Sequence, residues 1–530
     1  MNIEKYNKRH LIIAFFTPLV LGLLFHLSPY IGDAFHLLPG DLGDTRFNIF
    51  ILEHAKQFMT GEVSEYWNAN FMYPEPEVIS LSDNLLGTSP IYALFRILGF
   101  DLFTSFQYWL ITLTILNYWA SFKLSNFLFK SPWIAGLSAF IFTFSISLAS
   151  QMNHAQMYPR FAIPLAFLGL LLWRKQLNWK YFAFAITMLV YQFYCGIYLG
   201  FLMLIPFLIV MGVIVYEQWT TLKVFFLKVK NLVQYGLPII FNGVFMYILF
   251  APYLRRSEGE SLHTFSEIAH TLPGFNSYLT PPPGTVVHGF LEENMGNHFA
   301  FWDHWIFTGW MATIAFVVII ALLIYQKVRQ KSILSSDLNL MLLAGVITFI
   351  TYLRVGDLSL YYFVQKIPGF GAMRSLTRVI NVELLFFGIA FGALALLLIK
   401  KYNIKIKHLF FVALPFLIVD NFLKFEMANT TPKETMLERH YNLVEKMDHL
   451  QEGTIVSYEP DTSSLNSNIM HYQIDAMLAA QDLHLKSING YSAKAAFGFD
   501  RFWRVPNKEN LLFWLNRFPE VDTSEIVVIK

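Results

Sequence analysis

The chain has 530 residues, of which 55% are hydrophobic, 17% aromatic and only 14% charged, whereas soluble domains carry about a quarter charged residues. The formal net charge of +2 leaves no electrostatic footprint for a nucleic-acid partner, and the single cysteine, Cys195, excludes an intrachain disulfide. A mean hydropathy of +0.45, with 53 phenylalanines scattered through long apolar runs, points to a membrane protein.

Apolar runs near the roughly 20 residues needed to cross about 30 Å of hydrocarbon predict about eleven spans. They lie at 11–28, 103–128, 132–150, 159–173, 181–194, 197–216, 235–253, 305–325, 340–354, 376–399 and 408–424. The first resembles a signal peptide behind Lys5, Lys8 and Arg9, but no small-residue cleavage site follows, so it reads as an uncleaved helix. Alternate loops then carry Lys123/Lys130, Arg174/Lys175/Lys180, Lys223/Lys228/Lys230, Lys327/Arg329/Lys331 and Lys400/Lys401/Lys405/Lys407. Basic loops stay in the cytoplasm, so the N-terminus is expected inside and the C-terminus outside. Residues 1–424 form the expected membrane domain, and 425–530 a small extracytoplasmic α+β domain. Within the latter, Thr454–Tyr458 and Ile526–Ile529 read as strands, and Lys433–Leu450, Ile474–Leu483 and Lys508–Phe518 as helices.

The first external loop, 29–102, opens with Gly40-Asp41-Leu42-Gly43-Asp44. Residues 46–59 read as an amphipathic membrane-surface helix with Asp44 as its cap, and 85–98 as a second one. Two readings fit the acidic pair. Asp41 and Asp44 serve as turn and cap, or two carboxylates held at the bilayer surface share a proton, a cation or a sugar hydroxyl, one acting as general base. Trp67, Phe71 and Tyr73 supply aromatic surface suited to an interface or to stacking on sugars.

Farther along, Gln151–Arg160 is a short loop on the same side, where Arg160 suits a phosphate and His154 proton transfer; a polar turn is the structural alternative. In 254–304, His298, Asp303 and His304 match no metal-ligand spacing and sit among interface aromatics. Arg374 and Arg378, four apart where the tenth span begins, suit a lipid-linked phosphate or, alternatively, headgroup snorkelling. Glu383, deeper in that span, needs an arginine or a cavity.

Gly40-Asp41-Leu42-Gly43-Asp44, the following Trp67…Phe71-Met72-Tyr73-Pro74, Pro368-Gly369-Phe370…Arg374…Arg378 and Asn489-Gly490-Tyr491-Ser492 together resemble the GT-C superfamily of integral-membrane glycosyltransferases, bacterial members included. The resemblance implies a GT-C-like fold, a bacterial cytoplasmic membrane, and transfer of a sugar from a polyprenyl-phosphate-linked donor to a glycan, lipid or protein acceptor. It places the base on Asp44 or Asp41, with Asp44 preferred, and donor phosphate contacts on Arg374, Arg378 and Arg160. Metal-dependent members carry another acid in the second external loop; residues 151–160 have none, so no metal or other cofactor is expected. A polysaccharide transporter, flippase or polymerase would place ionisable residues at mid-membrane, where few occur. A non-catalytic scaffold using 425–530 is the third alternative.

Overall fold

The computed structural model describes residues 8–257, 263–295, 302–460 and 468–530. Among the described residues, seven helical stretches are long and apolar enough to cross a membrane: Lys8–Phe35, Pro132–Gln151, Ala155–Gln176, Ile197–Glu217, Val229–Ser257, Trp310–Arg329 and Leu376–Tyr402. The other four expected spans also fall on helices, namely Leu102–Phe129, Trp179–Cys195, Ser336–Tyr352 and Ile406–Asp420. Local chemistry sets several boundaries. The Asp101 carboxylate accepts from the Phe103 and Thr104 amides at 2.9 Å and caps the long Leu102–Phe129 helix. Ser131 followed by Pro132 starts the next. At Gly196 the chain turns between two helices so close to the Gln156 carbonyl that a side chain would press on it.

Polar residues inside these helices brace the loops instead of facing lipid. Gln107 donates to the Phe35 and Leu37 carbonyls, and Asn117 to that of Tyr158. Glu383, expected to meet an arginine or line a cavity, accepts from the Tyr278 hydroxyl at 2.8 Å. Arg255 and Arg256 pair with Glu77 and Glu75 of the first loop. At the far end of the Ala162–Gln176 helix, Arg174 is held between Glu217 and Asp337.

Residues 425–530 are mixed α and β. Strand β1 (Leu37–Pro39) in the first loop pairs antiparallel with β2 (Thr430–Pro432). A parallel sheet of order β4-β3-β5 is built from β3 (Ile455–Tyr458), β4 (Lys486–Ser487) and β5 (Val527–Ile529). Helices Lys433–Met447 and Ile469–Asp482 pack together beside it. The first loop and this segment share one apolar core, in which Phe47, Phe50 and Phe71 meet Met477, Ile488 and Trp514. Each fully buried phenylalanine there stabilises the contact by roughly 1.5–3 kcal/mol.

That shared core corrects two sequence expectations. The Asp44–Thr60 helix is buried on its polar side as well, with Arg46, Glu53, His54 and Gln57 all inaccessible. The C-terminal segment and the Ser89–Ile97 helix cover it: Arg46 pairs with Asp475, Glu53 with Arg96 at 2.8 Å, and Gln57 donates to the Gln481 carbonyl. Of the aromatic group, Phe71 is interior, fully buried against Phe47 and Phe50, whereas Trp67 and Tyr73 are half-buried. A local pattern shows which face is polar but not that another segment supplies partners for it.

Candidate active site

The Gly40–Asp44 turn is tied down from both sides. Gly40 adopts φ +88°, and a Cβ there would run into the Thr45 hydroxyl, so only glycine fits. Its amide donates to the Asn429 carbonyl at 2.8 Å, and its carbonyl accepts from Thr431 Oγ1 at 2.9 Å. Asp41 is exposed, and one of its oxygens accepts from the Gly43 amide at 2.9 Å, which makes it the turn residue. Gly43 holds the cap position, and Asp44 is the first helical residue, one place beyond the expected cap. The positive end of the helix dipole favours its carboxylate there.

Asp44 is half-buried. Its Oδ1 accepts from the Tyr491 hydroxyl at 2.6 Å, and its Oδ2 lies 2.9 Å from His154 Nδ1. The His154 approach is oblique to a good hydrogen-bond axis, and its Nε2 has no hydrogen-bond partner among the described residues. His154 is otherwise enclosed, its ring 4.8 Å from that of Trp302. Burial pushes the Asp44 carboxyl up, but His154, the Tyr491 hydroxyl and the charge of Arg378 outweigh it and hold the group below its ordinary value. Burial and Arg378 push His154 down more than Asp44 raises it. At neutral pH the pair is therefore a carboxylate beside a neutral imidazole.

The arginines do not share one helical face. Arg374 precedes the helix, is exposed, and donates to the Ala493 carbonyl at 3.0 Å. Arg378 sits in the 3-10 turn Leu376–Val379, its guanidinium 5.2 Å from the Tyr198 ring centroid, with Nε unpartnered. Arg160 is elsewhere, buried in a cavity and 4.9 Å from the Phe142 ring. Asp44, His154, Arg378 and Arg374 thus gather at one end of the bundle, under residues 489–493. Asp41 stands at the rim of this group.

Three contributors carried no assigned role in the sequence. Tyr491 lies on a turn fixed by Asn489, whose side chain bonds both backbone groups of Tyr458, and by Gly490, whose amide donates to Gln473. The Asn489-Gly490-Tyr491-Ser492 motif was its only signal. Asp303 accepts from the Ser375 hydroxyl at 3.0 Å, and its charge acts on His154. Asp83 accepts from the Ile197 amide at 2.6 Å, at the start of a helix, and burial pushes its carboxyl up to about 6 despite Arg378. Of the aromatic-flanked trio, His298 lies outside the described residues, and His304 turns away to Ser277 and the His270 carbonyl. Among the described residues no three His, Cys, Asp or Glu side chains converge in this site.

No protein-family model matches the sequence, and no curated protein matches it. Among solved structures the chain is similar to the Archaeoglobus fulgidus oligosaccharyltransferase in complex with Zn and sulfate, with TM-score 0.50, 11% identity, and 96% of this chain and 66% of that chain covered. It is also similar to the archaeal oligosaccharyltransferase AglB from the same organism, in complex with an inhibitory peptide and a dolichol-phosphate (TM-score 0.48, 12% identity, 96% and 68% covered). The chain therefore spans just under two thirds of the length of the first neighbour. At this identity the likeness concerns backbone architecture and transfers no residue roles. The first likeness shows a shared backbone architecture, and with the apolar helices it fits a multi-pass, mainly helical membrane protein.

Proposed function

We propose that the chain is a membrane glycosyltransferase that moves a sugar from a polyprenyl-phosphate-linked donor to a glycan, lipid or protein acceptor on the extracytoplasmic side. The observation that carries this reading is the carboxylate of Asp44, kept ionised by Tyr491 and His154 within the field of Arg378. The acceptor hydroxyl hydrogen-bonds to Asp44 and attacks the anomeric carbon. The bond from that carbon to the phosphate oxygen breaks, the lipid phosphate leaves with the electron pair, and Asp44 takes the hydroxyl proton. Arg374 and Arg378 face the charge developing on the phosphate. An inverting course is what the GT-C resemblance implies. Asp44 is preferred to Asp41 as base because Asp41 is exposed and spends an oxygen on the Gly43 amide.

The test is Asp44→Asn beside Asp41→Asn, scored by envelope glycan analysis and protein abundance. Asp44→Asn is expected to lower transfer by about 10²–10⁴-fold at unchanged abundance, the range for a lost general base, and Asp41→Asn by far less. Normal glycans in both variants, with both proteins abundant, would sink the proposal.

A further inference from the structure

Among the described residues two arginines are buried, with opposite surroundings, and the one without an anionic partner lines a cavity. Arg160 is 3% exposed, yet among the described residues its Nε and one terminal nitrogen have no hydrogen-bond partner. The cavity it lines, about 70 Å³, lies where the first helix, the Leu102–Phe129 helix, residues 143–160 and the Ile380–Tyr402 helix meet. A space of this size takes roughly five water-sized groups. No Asp or Glu lines it. Removing an uncompensated guanidinium from water costs several kcal/mol, so the site calls for an anion.

The other lining groups define the ligand further. Thr143 and His26 also line the cavity, and among the described residues Thr143 Oγ1 and His26 Nε2, two groups able to donate, have no partner; nor do the lining acceptors Gln151 Oε1 and Asn381 Oδ1, which a hydroxyl beside the phosphate would satisfy. Asn117 and Asn421, by contrast, spend their amides on backbone groups and serve as walls. The first helix departs from α-geometry here, forming a π-turn at Leu23–Leu27 that places His26 and Leu27 on the lining. Phe25, next to them, lines the cavity and is 38% exposed on the apolar outer surface. The wall thus reaches the flank of the bundle that meets lipid. A neighbouring cavity of about 280 Å³ shares Tyr30, Ala149 and Leu423 and extends to Asn153 and Trp302, beside His154.

We infer that the Arg160 cavity binds the anionic headgroup of a lipid, with the guanidinium, Thr143 and His26 on the phosphate and the tail leaving past Phe25. The inference widens the donor-phosphate role that the GT-C resemblance implies for Arg160 to anionic lipids as a class, and it does not require sugar transfer by Asp44. A glycerophospholipid and a polyprenyl phosphate offer the same phosphate chemistry, and separate arms of the test tell them apart.

The full-length protein, purified in a neutral detergent, is incubated in turn with phosphatidylglycerol, polyprenyl monophosphate, phosphatidylcholine and inorganic phosphate. Native mass spectrometry reads lipid retention, and thermal unfolding reads protection. The wild type is expected to retain one anionic lipid and no phosphatidylcholine, and the lipid retained names the source. Arg160→Gln is expected to weaken retention about tenfold or more, the loss for a charge-assisted hydrogen bond. If that variant is not recovered folded, Ala149→Phe, which fills the cavity and spares Arg160, is expected to expel the lipid. Asp44→Asn is expected to keep the lipid, so failure of the transfer reading and failure of this one are separable. Equal retention in wild type, Arg160→Gln and Ala149→Phe would overturn the inference. So would absence of any retained anionic lipid, or protection by inorganic phosphate equal to that by lipid.

Discussion

Within one turn, the Asp44–Thr60 helix meets two different environments. Arg46 is saturated: its Nε donates to the Leu42 carbonyl at 2.7 Å, its two terminal nitrogens reach Asp475 and the His471 carbonyl, and Arg439 closes Asp475 from the other side. Asp44, two residues earlier, has one firm hydrogen bond, one oblique contact, and a solvent-facing edge. Both groups carry charge, Arg46 fully buried and Asp44 half-buried. One is locked into an interface where every donor finds an acceptor, which holds residues 425–530 onto the first loop. The other is ionised yet incompletely satisfied, the condition in which a carboxylate can take a proton from an incoming hydroxyl.

Substitutions at the two carboxylates break this comparison most sharply. Asp44→Asn is expected to lower transfer by about 10²–10⁴-fold with little change in thermal unfolding, which a transfer assay and a melting curve read together. Asp475→Ala is expected to do the reverse first. It strands Arg46 and Arg439, destabilises the folded protein by about 3–5 kcal/mol, and lowers transfer only as folded protein is lost. Unchanged melting in Asp475→Ala would mean that the ion network does not hold the segment in place.

A smaller effect is expected at Tyr491. With its pKa held below the ordinary value of about 3.9, Asp44 is still ionised at that pH. Its contribution to stability is present above the unfolded-state pKa and is lost as pH falls through the lower folded value. The acid limb of kcat/KM is therefore expected to lie below the usual carboxylate range. Tyr491→Phe removes a hydrogen bond to the charged form and moves that limb upward, by up to about one unit for a bond worth about 1.5 kcal/mol. A limb that stays in place would assign Tyr491 a packing role alone. The smallest change is expected for Arg374→Gln: the side chain is exposed and its contact to Ala493 is single, so KM for the donor rises a few-fold while kcat and abundance hold.

Much of the site was legible at the level of residue type and side. Asp44, His154, Arg374 and Arg378 are ionisable residues that the span pattern places on one expected side, and the fold brings them to one end of the bundle. What was not legible follows from range. Tyr491 lies 447 positions from Asp44, and Asp475 lies 429 from Arg46, so neither pairing leaves a local trace. Arg160 looked equivalent to Arg374 and Arg378 in the sequence; only burial separates it, since a polar turn reads the same whether its arginine faces water or a closed cavity. The first-loop helix misled for the same reason, its amphipathic pattern being completed by segments far along the chain.

By itself, the sequence determined that the chain lives in a membrane, where its helices fall, and which turn carries the acidic pair. Hydrocarbon thickness and backbone hydrogen bonding impose these locally, residue by residue. Tertiary structure alone decided which carboxylate is open and which is locked, that Tyr491 reaches Asp44, and that Arg160 is left without an internal counter-charge. Charge and hydrogen-bond satisfaction depend on what lies within a few ångströms, and in this fold those neighbours come from opposite ends of the chain.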